Sequence, residues 1–289
     1  MASITVSAPA KLNLTLDVLG KRPDGYHDMR MVMQSVTLAD EVSVELLPEP
    51  GLDITADLPF LPKGEGNIAG KAAAAFFRET GLPQRGLSVH IRKHIPVCAG
   101  MAGGSSDGAA VLRVLRRALA PEMSREDLEK IGGQVGSDVP YCIRGGTVLA
   151  EGRGEVLTDL PPLPPCHIVV CKPQFSVSTP ELFAQVRVQR LRFHPRTEEL
   201  RAALEQGDLE AAALRLYNVF EEVLPRRCAP VFEIKSRLLD LGAMAASMTG
   251  SGPSVFGIFR DEGPARAAAE VLGEQFPQTF FCRPAEKNV

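Results

Sequence analysis

The sequence predicts an α+β fold in two domains, and three of its features carry that prediction. Short runs in which apolar and polar residues alternate mark strands with one buried face. Runs with apolar residues at helical spacing lie among them in no regular strand-helix-strand order, so helices pack on largely antiparallel sheets rather than covering a parallel one. A proline cluster, Pro161-Pro162-Leu163-Pro164-Pro165, can continue neither a helix nor a central strand, and it divides residues 1–160 from residues 161–289. A chain of 289 residues has room for two cores.

Leu12, Leu14, Leu16 and Val18 alternate with Asn13, Thr15 and Asp17, which is the period of a strand. It ends at the turn chemistry of Gly20-Lys21-Arg22-Pro23-Asp24-Gly25, with Tyr26-His27 just beyond. Val42, Val44 and Leu46 predict a second strand. The alanine-rich residues 68–79 read as a helix stopped by Gly81 and Pro83, and Leu87, Val89 and Ile91 alternate again. Residues 96–107 form a glycine-rich loop, after which Val111, Leu112, Leu115 and Leu119 have helical spacing. Ser124-Arg125-Glu126-Asp127 is a capping sequence for a further helix that ends before a turn at Gly136-Ser137-Asp138-Val139-Pro140. Beyond the proline cluster come a strand at residues 168–171 and mainly helical segments to Leu241. Residues 244–247, the turn Thr249-Gly250-Ser251-Gly252-Pro253, a strand at 255–259, a helix at 265–272 and a short strand near Phe280 close the chain.

Hydrophobic residues make up 45% and charged residues 23%, the balance of a globular protein. A formal charge of −3, with both signs mixed along the chain, gives no general attraction for a polyanion, so no nucleic-acid partner is expected and any phosphate chemistry is local. The first residues lack the basic flank and apolar run of a secretory signal, and no stretch is apolar for long enough to span a bilayer. No membrane association and a cytoplasmic location are expected. Six scattered cysteines without a CxxC pair point to reduced, mostly buried thiols instead of a disulfide framework or zinc site.

The loop Pro96-Val97-Cys98-Ala99-Gly100-Met101-Ala102-Gly103-Gly104-Ser105-Ser106 carries the first chemical expectation. Backbone N–H groups at a helix N-terminus can cradle phosphates, and glycine lets the chain come close. The hydroxyls of Ser105 and Ser106 can bind phosphate or cap the following helix. The segment is neither a Walker A loop nor GxGxxG, since Ala102 stands at the second glycine position of the latter.

Pro-x-x-x-Gly-x-x-Gly-Gly-Ser-Ser opening a helix resembles the phosphate loop of the GHMP small-molecule kinases. Ala10-Lys11-Leu12-Asn13-Leu14, Gly20 to His27, Gly136 to Pro140, Gly145-Gly146-Thr147, Glu151-Gly152-Arg153-Gly154-Glu155 and Gly250-Ser251-Gly252-Pro253 extend the resemblance from about residue 8 to residue 259. The glycine loop and the last turn identify the superfamily alone. Pro23-Asp24-Gly25-Tyr26-His27 together with Gly136 to Pro140 is specific to one branch. The sequence departs from the pattern at Cys98 and Ala102, where glycine or alanine is common, and at Met101, which replaces a usual leucine. The resemblance implies an N-terminal domain like the second domain of ribosomal protein S5, a ferredoxin-like C-terminal domain and a ligand cleft between them. It also implies an ATP-dependent kinase that phosphorylates the 2-hydroxyl of a cytidyl diphosphate sugar alcohol in the non-mevalonate route to isoprenoid precursors.

Phosphoryl transfer rests on positioning and charge stabilisation, so it needs a phosphate cradle, a cation and a carboxylate beside the acceptor hydroxyl. Asp138 is expected to orient the alcohol and accept its proton, and Lys11 to hold that carboxylate ionised and offset charge on the transferred group. Taken alone, Asp138 also reads as a turn residue and Lys11 as a solvated strand-end charge. In the family's pattern Tyr26 and an aromatic at the Phe183 position flank the cytosine base, with His27 reading its edge; a core contact is the other reading of Phe183. Asn13 is expected on the substrate side. Asn67 reads equally as a contact to the adenosine of ATP and as the N-cap of the alanine-rich helix. Mg2+ is expected with ATP, bridging its phosphates with few protein ligands.

Overall fold

The computed structural model describes residues 3–288, so the first two residues and the last residue of the expected domain spans lie outside it. The chain opens with two long antiparallel strands, β1 (Ile4–Lys21) and β2 (His27–Leu47). The alternating residues 12–18 and 42–46 are parts of these longer strands. The sequence pattern is lost over the first half of β2 because Met31, Val32, Met33, Gln34, Ser35 and Val36 are all buried, leaving no polar face to alternate with.

Next come β3 (Leu52–Ala56), α1 (Ile68–Thr80), β4 (Gly86–Arg92), α2 (Gly103–Leu119), α3 (Arg125–Val135), α4 (Val139–Arg144), β5 (Thr147–Gly152) and β6 (Val156–Asp159). α1 stops at Gly81, whose φ of 64° is the left-handed C-cap geometry. α3 begins at Ser124, whose hydroxyl accepts from the Asp127 amide. The segment 136–140 turns at Ser137 and Asp138, where the Val139 amide donates to Gly136 O at 3.1 Å, and its last two residues open α4. Its Val-Pro start fits a first helical turn, where proline removes only an N–H that has no partner there. α2 packs over β1 and β2 and α4 against β1, with α1 and α3 packed on α2.

The second half holds β7 (His167–Lys172), α5 (Thr179–Gln185), α6 (Thr197–Glu205), α7 (Leu209–Ala213), β8 (Tyr217–Asn218), α8 (Ala229–Asp240), β9 (Ala245–Met248), β10 (Val255–Phe259), α9 (Glu262–Gln275) and β11 (Gln278–Cys282). Four of these strands form an antiparallel sheet in the order β11-β7-β10-β9, with α8 and α9 packed on it. Strand, helices, two strands, helix, strand in that spatial order is the ferredoxin-like arrangement. The other sheet runs β3-β4-β2-β1-β8, with β5 and β6 continuing from β2. Here β2 pairs with β4 through residues 41–47 and with β5 through residues 29–34, which accounts for its length. The first sheet ends its main run at Asp159 and the second begins at His167, on either side of the proline cluster.

Backbone hydrogen bonds knit the halves together at β8 and beyond β11. Tyr217 and Asn218 of β8 pair in parallel with Thr15 and Leu16, and Asn218 Nδ2 donates to the Met248 and Gly250 carbonyls, both at 2.8 Å. Beyond β11, the Ala285 amide donates to Ser35 O and the Asn288 amide to Arg144 O, so the end of the chain is laced onto the first sheet and α4.

Candidate active site

Between the two halves lies a cleft of about 1180 Å³, and a smaller cavity of about 310 Å³ adjoins it. Cys98, Gly100, Ala102 and Ser105 of the glycine-rich loop line both. The loop is held in place by its backbone. Lys11 N donates to Met101 O at 3.1 Å, tying it to β1, while the Ala99 and Met101 side chains are buried in the core. Gly100 meets the second half directly, since a Cβ there would lie 2.3 Å from the Thr249 carbonyl oxygen; the same holds at Gly250, where a Cβ would lie 2.5 Å from Gly100 O. Two glycines facing each other let the backbones touch.

Left-handed backbone falls at two non-glycine residues of the loop, Cys98 (φ 53°) and Ala102 (φ 57°). Ala102 is the N-cap of α2 and has no side-chain cap to give. Neither serine caps the helix. Ser106 is 1% exposed and its hydroxyl donates to Pro9 O at 2.7 Å, so the expectation that it binds phosphate through Oγ is corrected: its side chain fastens α2 to β1. Ser105 keeps its hydroxyl at the cleft. Pro96, Val97, Gly103 and Gly104 line the smaller cavity only.

Lys11 and Asp138 both face the cleft. β1 carries register shifts between Pro9 and Lys11 and between Asn13 and Thr15, and such bulges re-aim side chains. Lys11 is 4% exposed and donates to Asn13 Oδ1 at 2.6 Å. Among the described residues no ion pair joins it to Asp138; the expected direct contact is replaced by the asparagine, which receives the ammonium. Both charges nevertheless act on one buried group. Burial pushes the Cys142 thiol above its usual range, with Asp138 adding to the shift and Lys11 opposing it. Asp138 stands at the N-cap of α4 without capping it, and among the described residues its carboxylate has no hydrogen-bond partner. A turn role therefore does not occupy the side chain.

Asn13 is fully buried and does not line the cleft. Its Oδ1 accepts from Lys11 and from the Gly250 amide at 3.0 Å, and its own amide donates to Thr249 Oγ1 at 3.0 Å. It joins the lysine to the Gly-Ser-Gly-Pro turn from below. That turn is also tied to α5 by Thr179 Oγ1 and Ser251 Oγ, 2.7 Å apart.

At the other end of the cleft His27 stacks on Phe183, ring centroids 4.7 Å apart and 21° from parallel. The expected pairing of Tyr26 with Phe183 around a base is not the arrangement seen: Tyr26 is 54% exposed and carries the Arg153 guanidinium over its ring at 5.1 Å. Phe183 meets Phe220 edge-on at 5.0 Å, so the core contact is present, and the residue also lines the cleft. Burial lowers the pKa of His27, with the Lys21 charge adding to the effect, which favours the neutral imidazole. Asn67 caps α1, its Oδ1 accepting from the Ala69 amide at 2.9 Å, and the residue also lines the smaller cavity.

Sequence reasoning assigned no role to Arg153, Lys93 or Asp107. Arg153 lay inside the quoted Glu151 to Glu155 segment, where a cation between two glycines was the available clue. Lys93 and Asp107 form a buried group with Asp40: Lys93 Nζ donates to both carboxylates, at 2.7 Å to Asp107 Oδ2, and Asp40 Oδ1 accepts from the amides of His94 and Ile95. Burial pushes the Asp107 carboxyl up to about 7, against the pull of the lysine.

The chain matches the model of the GHMP kinases N terminal domain over residues 67–146 and that of the GHMP kinases C terminal domain over residues 200–278. It is 43% identical over 272 residues to a 4-diphosphocytidyl-2-C-methyl-D-erythritol kinase of Acetivibrio thermocellus, covering 94% of this chain and 95% of that one. The protein of the same description from Lachnoclostridium phytofermentans is 43% identical over 292 residues, covering 100% of both. A crystal structure of 4-(cytidine 5'-diphospho)-2C-methyl-D-erythritol kinase superposes with a TM-score of 0.83 at 32% identity, covering 98% of this chain and 99% of that chain.

Proposed function

This chain belongs to the GHMP kinases and, among them, to the 4-diphosphocytidyl-2-C-methyl-D-erythritol kinases, and from that premise we infer that it transfers the terminal phosphoryl group of ATP to the 2-hydroxyl of 4-diphosphocytidyl-2-C-methyl-D-erythritol, a step of the non-mevalonate route to isoprenoid precursors. One observation carries the reading at the level of the site. A glycine loop at the start of a helix opens on the same cleft as an unpartnered aspartate, a buried lysine and an aromatic pair.

In this mechanism the loop amides and the N-terminus of α2 bind the nucleotide phosphates and orient the terminal one. Asp138 accepts a hydrogen bond from the substrate hydroxyl, whose oxygen attacks the terminal phosphorus while the bond to the ADP oxygen breaks. The hydroxyl proton passes to Asp138 and then to solvent. Lys11, held by Asn13, places a positive charge beside the transferred group. His27, Phe183 and Tyr26 receive the cytosine at the far end, which requires the His27–Phe183 stack to open or the base to lie on its outer face.

Among the described residues no group of three or more His, Cys, Asp or Glu side chains could cage a metal. Mg2+ would arrive on the ATP phosphates and keep several waters. The Ser105 hydroxyl and the Asp138 carboxylate are the cleft oxygens that would meet it. Bound there, Mg2+ would neutralise phosphate charge. The reading further places the domain division at the proline cluster, between residues 1–160 and 161–289, and the enzyme in the cytoplasm. Six free cysteines fit a reducing compartment, and no described helix is long and apolar enough to cross a membrane.

Phosphorus NMR of the product tests the assignment. The expected spectrum keeps the cytidyl diphosphate resonances and gains a phosphomonoester coupled to the methylerythritol carbon that bears the 2-hydroxyl. ADP release stimulated by homoserine or mevalonate, and not by the cytidyl compound, would overturn it.

A further inference from the structure

Among the described residues Lys11 and Asp138 share no ion pair, so the spacing that the proposed transfer needs is set by what holds each of them. Asp138 stands at the start of a helix of only six residues, α4. The Cys142 amide donates to Asp138 O at 3.0 Å, and the Cys142 carbonyl accepts from Asn288 Nδ2 at 2.8 Å, so one residue separates the Asp138 backbone from the segment that follows β11. The Asn288 amide also donates to Arg144 O at 3.0 Å. Carbonyls in the last turn of a helix have no partner inside it, and Asn288 brings donors to two of them. The segment lies directly on Gly145 and Gly146, part of a motif that the transfer mechanism leaves unused. Both have left-handed φ, 69° and 76°; a Cβ on the first would sit 2.9 Å from Asn288 Nδ2 and on the second 2.7 Å from Lys287 Cγ. Glycine at both positions lets the segment close on the helix end.

The same segment grips β2 opposite Lys11. Ser35 is the cross-strand partner of Lys11, and its carbonyl accepts from the Ala285 amide at 2.8 Å, while Ala285 O accepts from Gln34 Nε2 at 3.0 Å. Tyr141 of α4 closes the circuit. It is 1% exposed, its hydroxyl donates to Gly146 O at 2.8 Å, and the same oxygen lies 3.0 Å from Ser35 Oγ. Helix, glycine pair, strand and terminal segment form one ring of hydrogen bonds, with Asp138 on one side and Lys11 on the other.

We propose that residues 284–288, acting through Asn288 and Ala285, are a positioning clamp for phosphoryl transfer, fixing the distance between the Asp138 carboxylate and the Lys11 ammonium. The proposal rests on the kinase reading above and adds to it the element that holds the two charges in register. Neither Ala285 nor Asn288 lines the cleft, so the clamp acts on the geometry of the reacting groups and not on the binding of either substrate.

Steady-state kinetics of Asn288→Ala, with ATP and the cytidyl substrate varied in turn, test the clamp. The substitution removes the bond to Cys142 O and leaves the backbone of the segment in place. The expected result is a fall in kcat of about tenfold with both KM values within about twofold of wild type, the split that marks a loss of alignment and not of binding. Tyr141→Phe cuts the ring from the other side and should reproduce that split. Lys287→Ala is the control within the same segment, since it removes only an exposed ion pair to Asp159, 2.8 Å long, and should leave kcat unchanged. In an Asp138→Asn background Asn288→Ala should lower kcat by less than about twofold more, because groups that act as a unit are not additive. A general loosening of the fold would instead multiply with the Asp138 defect. Unchanged kcat in Asn288→Ala, an equal loss in Lys287→Ala, or a loss of the same size again in the double variant overturns the proposal. Asp138→Asn alone reports on the kinase reading: wild-type turnover there counts against that reading, whereas a large loss beside a silent Asn288→Ala sinks the clamp and leaves the reading intact.

Discussion

In the proposed mechanism Asp138 is the residue on which the transfer chemistry turns, and its uncommitted carboxylate makes a sharp expectation. Asp138→Asn keeps the shape of the α4 start and removes the proton acceptor; turnover should fall by roughly 10²- to 10⁴-fold with the KM for ATP within a few fold. Unchanged turnover in steady-state kinetics would remove Asp138 from the mechanism. Ala102 allows a subtler test. Its φ of 57° costs an L-residue about 1–2 kcal/mol, whereas glycine adopts it freely. Ala102→Gly should therefore be neutral or slightly stabilising in urea denaturation, although the same change inside α2 at Ala110 should cost about 1 kcal/mol or more. A comparable loss at both sites would mean that the loop stores no strain. Asp107 sets a pH dependence. Its folded pKa of about 7 lies above the unfolded value of about 3.9, so the folded state binds the extra proton and the associated stability is present below pH 4 and lost as pH rises through 7. The melting temperature of wild type relative to Asp107→Asn should fall between pH 5 and pH 8; a constant difference would refute the raised pKa. Local sequence could announce Asp138 and the glycines, because a motif is contiguous. It could not announce the Lys93 cluster, whose members Asp40 and Lys93 are brought together from 53 positions apart.

Helices and strands position these groups through a few polar contacts that sequence periodicity does not encode. α4 carries Asp138 at its start and Arg144 at its end. The Arg144 guanidinium grips Glu129 of α3 through two bonds, 2.8 and 2.6 Å, and donates to Leu157 O of β6 at 3.0 Å. Removing one partner strands a nearly buried charge, so Glu129→Ala should lower stability by about 3 kcal/mol in urea unfolding. A loss below about 1 kcal/mol would class the pair with exposed ion pairs. α1, α2 and α3 were legible because each has an amphipathic stripe and end signals. α4, β5 and β6 escaped notice, since four to six residues give too little pattern. The first half of β2 was hidden by burial on both faces.

Across the whole molecule, the two halves share a packed apolar core, and at the glycine-rich loop they meet backbone to backbone. Gly100 of the nucleotide loop and Gly250 of the second half occupy left-handed conformations, φ 72° and 56°, and a Cβ on either would strike the other's strand of chain. Asn13 links this contact to the lysine of the proposed mechanism, because its side-chain oxygen receives both the Gly250 amide and the Lys11 ammonium. Proline-rich composition could mark where the halves divide. No local pattern marks where they touch, because Gly100 and Gly250 are distant in sequence and each reads as an ordinary turn glycine. Gly250→Ala brings a methyl within 2.5 Å of Gly100 O, so the turn must retreat, and Lys11 loses its registration on Asn13. A displacement of even an ångström at reacting groups can lower turnover by about 10²-fold. Backbone strain alone would also destabilise the variant, and Gly207→Ala separates the two effects: its φ of 66° is as unfavourable, but a Cβ there meets nothing within 4 Å. Both variants should melt earlier than wild type, and only Gly250→Ala should lose turnover by more than about tenfold. Equal activity losses in the two would show that strain, and not contact between the halves, governs the site.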